Sequence, residues 1–262
     1  MSSRTAARVF ALAVASIAFL GIGATAFAQS APKSKPAAAG RYAALDKLPD
    51  WSGIWTLDFA SIAATMGGPP PALKGEYKKA YDAWQKEVRE NNGVVAEDTS
   101  HCRPPGMPII MMAPQYPMEF FFTPGRITTH HEAWMQWRVI YTDGRAHPDD
   151  LDPSFNGHSI GRWEGDTLVI DTVGIKTSVA MGMGINHSDK LHLVERIHLA
   201  KGDPDTLKDE LTINDPLALE KPWSLSLSFK RSRGDELIEF VCAENDRNPV
   251  DASGKTGFQS NE

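Results

Sequence analysis

From residue 118 onward, apolar and polar residues alternate in short runs that are separated by Gly, Pro and Asp. This alternation is typical of hairpin-connected β-strands. The clearest hairpin spans residues 156–174, where a β-branched run follows a Glu-Gly-Asp turn. Gly165 supplies the positive φ that such a tight turn needs. The same pattern predicts strands at residues 118–123, 126–132, 134–141, 190–200, 207–214, 222–231 and 236–242.

One segment has a helical period instead. Between residues 73 and 91, apolar and aromatic residues recur every three or four positions, at Leu73, Tyr77, Tyr81, Trp84 and Val88. This spacing predicts an amphipathic helix whose aromatic face packs against the strands. A Gly- and Met-rich stretch at residues 176–188 fits neither pattern, and it is long enough to form a mobile flap.

Many short strands with a single helix indicate a closed barrel or a strongly curved sheet, and closure has the advantage of removing exposed strand edges. The opening strand also contains Gly53-Ile-Trp55, which resembles the first-strand motif of lipocalins and related calycin barrels. In those barrels the Trp fills one end. We therefore predict an all-β, antiparallel, largely meander barrel of the lipocalin or calycin type, with one N-terminal amphipathic helix.

The first 28 residues have the organisation of a secretory signal peptide. Arg4 and Arg8 precede an apolar stretch, and Ala26-Phe27-Ala28 forms a small-x-small cleavage signal. We predict a disordered linker at residues 29–49, a single barrel domain at residues 50–248 and a C-terminal tail at residues 249–262. The mature protein is then periplasmic or secreted, without a stable membrane anchor.

Charge and cysteine content narrow the possible functions. The net charge of −6 argues against nucleic-acid binding, which requires a basic surface. Export places the two cysteines, Cys102 and Cys242, in an oxidising compartment, where a disulfide bond is their simplest use. Two buried free thiols are the alternative. Composition leaves the oligomeric state open.

Longer segments carry a resemblance to a protein family. They are CRPPGMP, YPMEFFFTPGR, HHEAWMQWRVIYTDGRAHP, NGHSIGRWEGDTLVIDTVG, HSDKLHLVERIHL and FVCAEN. These segments occur in the same order in a family of exported bacterial β proteins, and the resemblance covers roughly residues 50–248. It implies an exported β protein and carries no catalytic residue over to this chain.

Residues 157–161, Gly-His-Ser-Ile-Gly, match the G-x-S-x-G pattern of serine hydrolases. That nucleophile elbow needs a strand before the Ser and a helix after it. Here a Pro- and Asp-rich loop precedes Ser159, and the predicted hairpin follows it. We therefore reject a serine hydrolase.

The spacing of the histidines gives little support to a metal site. The chain has eight histidines, but the H-E-x-x-H and zinc-finger spacings are absent. His131, His158 and His187 can meet Glu132 or Glu195 only through folding. We therefore predict no cofactor, with a bound metal as the less favoured alternative.

Carboxylates among apolar neighbours are a stronger signal. Glu195 and Asp209 each alternate with Leu and Ile on a predicted strand, so their carboxyl groups enter an apolar face. A buried carboxylate must be paired, hydrogen-bonded or protonated. If such groups line a cavity, they support acid–base chemistry, in which a His takes the proton and a Tyr or Arg stabilises negative charge. An Arg–Glu pair that only fixes strand register is an equally weighted alternative.

This reasoning gives specific candidate residues. The predicted catalytic residues are His131, Tyr141, His158 and Glu195. The predicted binding residues are Met135, Trp137, Arg138, His187, Arg196 and Asp209.

Three hypotheses for the function follow. The first is an exported enzyme of the lyase, isomerase or hydratase type, acting on a small apolar or aromatic hydroxylated molecule in the barrel cavity. The second is a non-catalytic carrier with the same barrel. The third is a structural envelope protein with a filled core. Charged residues that face a pocket favour the enzyme over the carrier.

Overall fold

Nine β-strands form a closed barrel in the computed structural model, which describes residues 42–66, 68, 70–91, 102–113 and 115–242. Each strand pairs with the next one in the sequence, and the ninth pairs with the first. The predicted mostly-β barrel is confirmed. The strands are β1 (Ile54–Leu57), β2 (Met118–Thr123), β3 (Arg126–His131), β4 (Gln136–Tyr141), β5 (His158–Glu164), β6 (Thr167–Val173), β7 (His192–Ala200), β8 (Asp203–Asn214) and β9 (Trp223–Ser232).

One pairing differs from the predicted antiparallel meander. β4 and β5 run parallel, with Ile140 opposite Ser159 and Tyr141 opposite Ile160. Parallel neighbours cannot be joined by a tight hairpin, so residues 142–157 form a crossover loop that returns the chain to the other end of the strand. Alternation of apolar and polar residues specifies which side chains share a face, but it does not specify the direction of a strand relative to its neighbour.

The hairpin predicted at residues 156–174 is present as β5 and β6, which pair at seven positions. Gly165 in the turn has a φ of +62°, which is the left-handed conformation that the sequence predicts for it. A Cβ added to Gly165 would meet nothing within 4 Å. Backbone conformation, rather than lack of space, is therefore what favours glycine in this turn.

The described residues contain two α-helices, α1 (Phe59–Met66) and α2 (Gly75–Glu90). The second is the predicted amphipathic helix, and its Tyr77 and Tyr81 pack against the core. The first was not predicted, because the sequence FASIAATM has no charged residue to mark a polar face. Short 3-10 helices are present at Leu45–Lys47, Ile109–Met112 and Ala133–Met135.

The strand predicted at residues 236–242 does not form. In the closed barrel both edges of β9 are already paired, so no edge is left for a further strand. The segment lies on the surface instead, where the backbone N–H of Ile238 donates to Oε2 of Glu132 at 3.0 Å. Cys242 forms a disulfide bond with Cys102, with the two Cα atoms 5.5 Å apart. The predicted disulfide is confirmed.

Large apolar side chains fill the core. Trp55, in the Gly-x-Trp motif of β1, is fully buried, and the guanidinium of Arg231 lies 4.5 Å from its ring centroid. The loop predicted as a flap also contributes to this core through Val179, Met181 and Ile185. That loop is therefore anchored to the barrel by three buried side chains.

The predicted signal peptide, most of the predicted linker and the C-terminal tail lie outside the described residues. The described part of the linker contains the short 3-10 helix Leu45–Lys47. Of the helices in the described residues, none has the length and apolar character needed to cross a membrane.

Candidate functional site

The residues predicted to form one active site occupy two separate places. His131, Arg138 and Glu195 are buried inside the barrel, whereas Tyr141 and His158 lie half-exposed on its outer surface. Strand geometry is the reason, because residues an odd number of positions apart on one strand point to opposite faces. Arg138 and Tyr141 on β4 are separated in this way. The structure therefore does not bring the four predicted catalytic residues together.

Inside the barrel, Arg138 and Glu195 form a fully buried ion pair. Nη1 of Arg138 donates to Oε1 of Glu195 at 2.9 Å, and Nη2 donates to Oε2. Nη2 also donates to the hydroxyl of Thr172 at 2.9 Å, and Nε donates to that of Ser159 at 3.2 Å. These bonds connect four consecutive strands, β4 to β7. The arrangement supports the role that fixes strand register.

Asp209 lies close to this pair but is not part of it. Its carboxyl group is fully buried on β8, and neither oxygen has a hydrogen-bond partner among the described residues. Burial, followed by the negative charge of Glu195, raises the pKa of Asp209 well above its usual value. The raised pKa favours the neutral, protonated form of Asp209 in the folded protein.

His131 is also buried inside the barrel, beside Thr129, whose hydroxyl oxygen lies 2.9 Å from Nε2 of the ring. Burial, together with the positive charge of Arg138, lowers the pKa of His131 to about 3. An imidazole with such a pKa is a weak base. His131 is thus suited to a fixed hydrogen bond inside the barrel rather than to proton abstraction.

Three histidines and one aspartate form a cluster on the outer surface, here called the histidine cluster: His147, His158, Asp171 and His192. Nδ1 of His147 lies 2.7 Å from Nδ1 of His158. Nε2 of His147 and Nε2 of His192 lie 3.1 Å and 2.9 Å from the same oxygen of Asp171. Strands β5, β6 and β7 position three of these residues, and the crossover loop supplies His147.

The hydrogen-bond chain in this cluster has a direction. A carboxylate only accepts hydrogen bonds, so the Nε2 atoms of His147 and His192 are donors to Asp171. In a neutral His147 ring, Nδ1 then carries the lone pair, and Nδ1 of His158 must donate to it. This leaves the lone pair of His158 on Nε2, for which the described residues provide no hydrogen-bond partner.

Tyr141 and Arg145 lie beside the His158 ring. The Tyr141 and His158 rings are stacked, with centroids 5.2 Å apart and planes inclined by 25°. The Arg145 guanidinium lies 3.9 Å from the Tyr141 ring centroid, and its Nε donates to Oδ1 of Asp143 at 2.9 Å. Burial, followed by the charges of His147 and Arg145, lowers the pKa of His158.

The predicted binding residues are scattered over the molecule. Trp137 is exposed and stacks on His130, with ring centroids 3.9 Å apart. Arg196 is exposed and pairs with Glu164 at 3.0 Å. Sulfur of Met135 accepts a hydrogen bond from the surface segment that carries the disulfide. These residues do not form one binding site with Arg138 and Asp209 inside the barrel.

His187 lies apart from the other histidines. Its ring is buried, and Nδ1 lies 2.7 Å from the carbonyl oxygen of Ser188. Burial lowers the pKa of His187. The neighbouring Ser188 donates from its backbone N–H to Asp215 at 2.6 Å, so this part of the loop is fixed in place.

Sequence reasoning missed His147, Asp171 and His192. The alternation along β6 and β7 could have identified two of them, because Asp171 and His192 point to the same outer face of the barrel as His158. No comparable signal was available for His147, since it lies in an irregular loop. In the described residues, no group of three or more His, Cys, Asp or Glu is arranged to hold a metal ion.

No protein-family model matches the chain, and no curated protein matches it either.

Proposed function

We propose that this protein is an exported acid–base enzyme of the lyase, isomerase or hydratase type, and that Nε2 of His158 is the group that takes the substrate proton. The observation that carries this proposal is the hydrogen-bond chain from His158 through His147 to Asp171. Confirmation of the disulfide bond supports the export component, because such bonds persist in oxidising compartments.

The chain of hydrogen bonds explains how His158 can act as a base. When Nε2 takes a proton, the His158 ring becomes positively charged and still donates from Nδ1 to His147. His147 in turn donates to the Asp171 carboxylate, which stabilises the positive charge and fixes the orientation of both rings. The lowered pKa of His158 favours the unprotonated ring, which is the form that a general base requires.

The surroundings of His158 favour a substrate that develops negative charge when it loses a proton. Arg145 provides a permanent positive charge, and the Tyr141 hydroxyl is a hydrogen-bond donor. The Tyr141 ring offers a flat apolar surface beside the base. These features support a small, hydroxylated, apolar or aromatic substrate. They supply acid–base chemistry from side chains alone.

The substrate site in this proposal differs from that expected from sequence. Glu195 and His131, which the sequence reasoning placed in the same site, are inside the barrel and contact neither His158 nor Tyr141. Their hydrogen bonds support a structural role. The carrier and structural hypotheses need no free base. The open Nε2 of His158 therefore supports the enzyme over these two alternatives.

The proposal is tested by incubating purified protein with a panel of small hydroxylated aromatic compounds and detecting products by mass spectrometry. We expect His158→Gln to lower turnover about 100-fold or more, the usual effect of losing a positioned acid–base group. Activity of the wild type should rise with pH through a pKa below the ordinary 6.5 of histidine, and this limb should be missing in the variant.

His198→Gln is the matched control, because His198 is a half-buried histidine on β7 outside the cluster. It should retain full activity. Equal turnover by wild type and His158→Gln would contradict the proposal. Binding of panel compounds without any product would favour the carrier, and neither binding nor turnover would favour the structural protein.

A further inference from the structure

Asp171 of the histidine cluster is bonded to two histidines, and the proposed proton relay uses only one of them. Oδ1 of Asp171 accepts from Nε2 of His147 at 3.1 Å and from Nε2 of His192 at 2.9 Å. Its other oxygen accepts no hydrogen bond from the described residues. His147 continues the chain to His158, whereas no hydrogen bond of His192 leads there. His192 therefore holds the carboxylate without belonging to the relay.

Of the two histidines bonded to this carboxylate, His192 is the more accessible to solvent. Its side chain is 37% exposed, compared with 20% for that of His147. Nε2 of His192 donates to Asp171, so in the neutral ring Nδ1 carries the lone pair. No described residue forms a hydrogen bond with that nitrogen. His192 can therefore take up a proton from water without leaving Asp171.

The surroundings of His192 leave Asp171 as the charged group to which its ring is bonded. On the neighbouring strand β8, the residue opposite His192 is the uncharged Asn214. In the turn before β7, Asp189 and Lys190 pair with each other at 2.9 Å, so their charges offset one another. A proton taken up by His192 therefore acts first on the Asp171 carboxylate.

A proton on His192 changes the negative charge that is available to the relay. While His192 is neutral, the Asp171 carboxylate stabilises the positive charge that His158 acquires. A charged His192 neutralises that carboxylate and adds a positive charge of its own. Protonation of either ring thus makes protonation of the other less favourable, as in other coupled titrations. Arg145 also acts on His158, but its charge stays constant near neutral pH.

We propose that His192 is a pH-sensing residue that regulates this site: when charged, it weakens the proton affinity of His158 through the carboxylate of Asp171. The regulatory meaning rests on the proposed function, in which His158 is the base. A base with a lower proton affinity abstracts a proton more slowly. Turnover should therefore decline in acid as His192 takes up its proton, in addition to the loss caused by protonation of His158 itself.

The coupling is measured on the free protein, so the measurement needs no substrate. Protein with labelled histidines is titrated across neutral pH, and the imidazole signals are followed by NMR. His192→Gln retains an N–H group that can reach Asp171, but it cannot become charged. It should raise the measured pKa of His158 by about 0.5 pH unit, the scale of an interaction between partly exposed charges.

Two further variants test the same coupling. His192→Thr is a second neutral replacement, and its β-branched side chain suits a strand. It should also raise the pKa of His158. Coupling between two sites is reciprocal, so the reverse effect must have the same size. In His158→Gln, the His192 signal should therefore titrate at a pH that is higher by about 0.5 unit.

His198→Gln is the matched control, because His198 lies further along the same strand and has no bond to Asp171. Its Nδ1 lies 3.0 Å from the carbonyl oxygen of Leu199. This variant should leave the pKa of His158 unchanged. Circular dichroism verifies that each variant is folded.

An unchanged or lowered pKa of His158 in the neutral His192 variants would overturn the inference. An equal rise in His198→Gln would also overturn it, because the effect would not depend on Asp171. Failure of the proposed function looks different, since the wild type then turns over no compound while the coupling persists. Where turnover is found, the pH–rate profile of His192→Gln should lose one ionisation on its acid side, and an unchanged profile would contradict the regulatory role.

Discussion

The interior ion pair and the histidine cluster are built on the same strands. The hydrogen bonds of the ion pair are satisfied within the protein, whereas one nitrogen of the histidine cluster has no partner among the described residues. His158 and Ser159 are consecutive on β5, and Asp171 and Thr172 are consecutive on β6. In each pair the second residue faces inward to Arg138 and the first faces outward to His147. Each strand therefore contributes to both groups through the two-residue period of β-structure.

Burial decides what each group can do. Inside, the Arg138 guanidinium is enclosed by Glu195 and two hydroxyl groups, so its hydrogen bonds are satisfied within the protein. Outside, the hydrogen-bond chain ends at a nitrogen of His158 that has no partner among the described residues. A satisfied network holds strands in register, whereas an open end can exchange a proton. The following predictions test this contrast.

The largest effect is expected on breaking the interior pair. Glu195→Leu leaves the Arg138 charge buried without its partner and should lower the free energy of unfolding by about 3–5 kcal/mol. Urea denaturation followed by circular dichroism measures this change.

Adding Arg138→Met to that variant removes the stranded charge and should recover most of the lost stability, because apolar replacement of a buried pair is often neutral. If the double variant is as unstable as the single variant, the pair itself stabilises the fold, beyond neutralising its own two charges. That result would weaken the contrast between the two groups.

An intermediate effect is expected on changing the carboxylate of the histidine cluster. Asp171→Asn replaces the acceptor of two histidine donors and should lower kcat/KM about 10- to 100-fold, with kcat carrying most of the loss. The thermal midpoint should change little, because the side chain is partly exposed.

Asp166→Asn, in the exposed turn of the same hairpin, is the control and should behave like wild type. The positioning role also predicts a change in the pH–rate profile, which a structural role would not produce. Loss of stability in Asp171→Asn without any kinetic change would contradict the assignment.

The smallest effect is expected at Asp209. Its raised pKa means that the folded state keeps a proton that the unfolded state releases above about 3.8. Its contribution to stability is therefore complete below that pH, and it is lost as the pH rises through the folded-state pKa, by at most about 1.4 kcal/mol per pH unit.

Asp209→Asn should remove this decline, and Glu210→Gln at the exposed neighbouring position should not. The free energy of unfolding is compared from pH 5 to pH 9, a range in which folded His131, with a pKa of about 3, stays neutral. A wild type whose stability does not fall more steeply than that of Asp209→Asn would show that Asp209 is ionised in the fold.

Much of the barrel could be predicted from the sequence, because its strands are short and their apolar residues alternate. The hairpin around Gly165, helix α2 and the disulfide bond each have a local signal of their own. The direction of β5 relative to β4 has no such signal, since it depends on closure of the whole sheet. The failed strand at residues 236–242 has the same cause, because a strand forms only where an edge is free.

The site was predicted less well for a related reason. Alternation correctly separates Arg138 from Tyr141 onto opposite faces of β4, but it does not say that the candidate histidines belong to different faces of the barrel. His131 and His158 are on different strands, and only the folded structure shows one inside and one outside. The partner of His158 comes from a loop, where no periodicity exists.

The parallel pairing of β4 and β5 divides the histidine cluster into a fixed part and a replaceable part. Strands β5 to β7 hold His158, Asp171 and His192, whereas the crossover loop of residues 142–157 brings Arg145 and His147. A loop can change in length and sequence without disturbing the strand ladders that it connects. The barrel can therefore serve as a constant platform, on which exchange of one loop alters both the proton relay and the charge presented to the substrate.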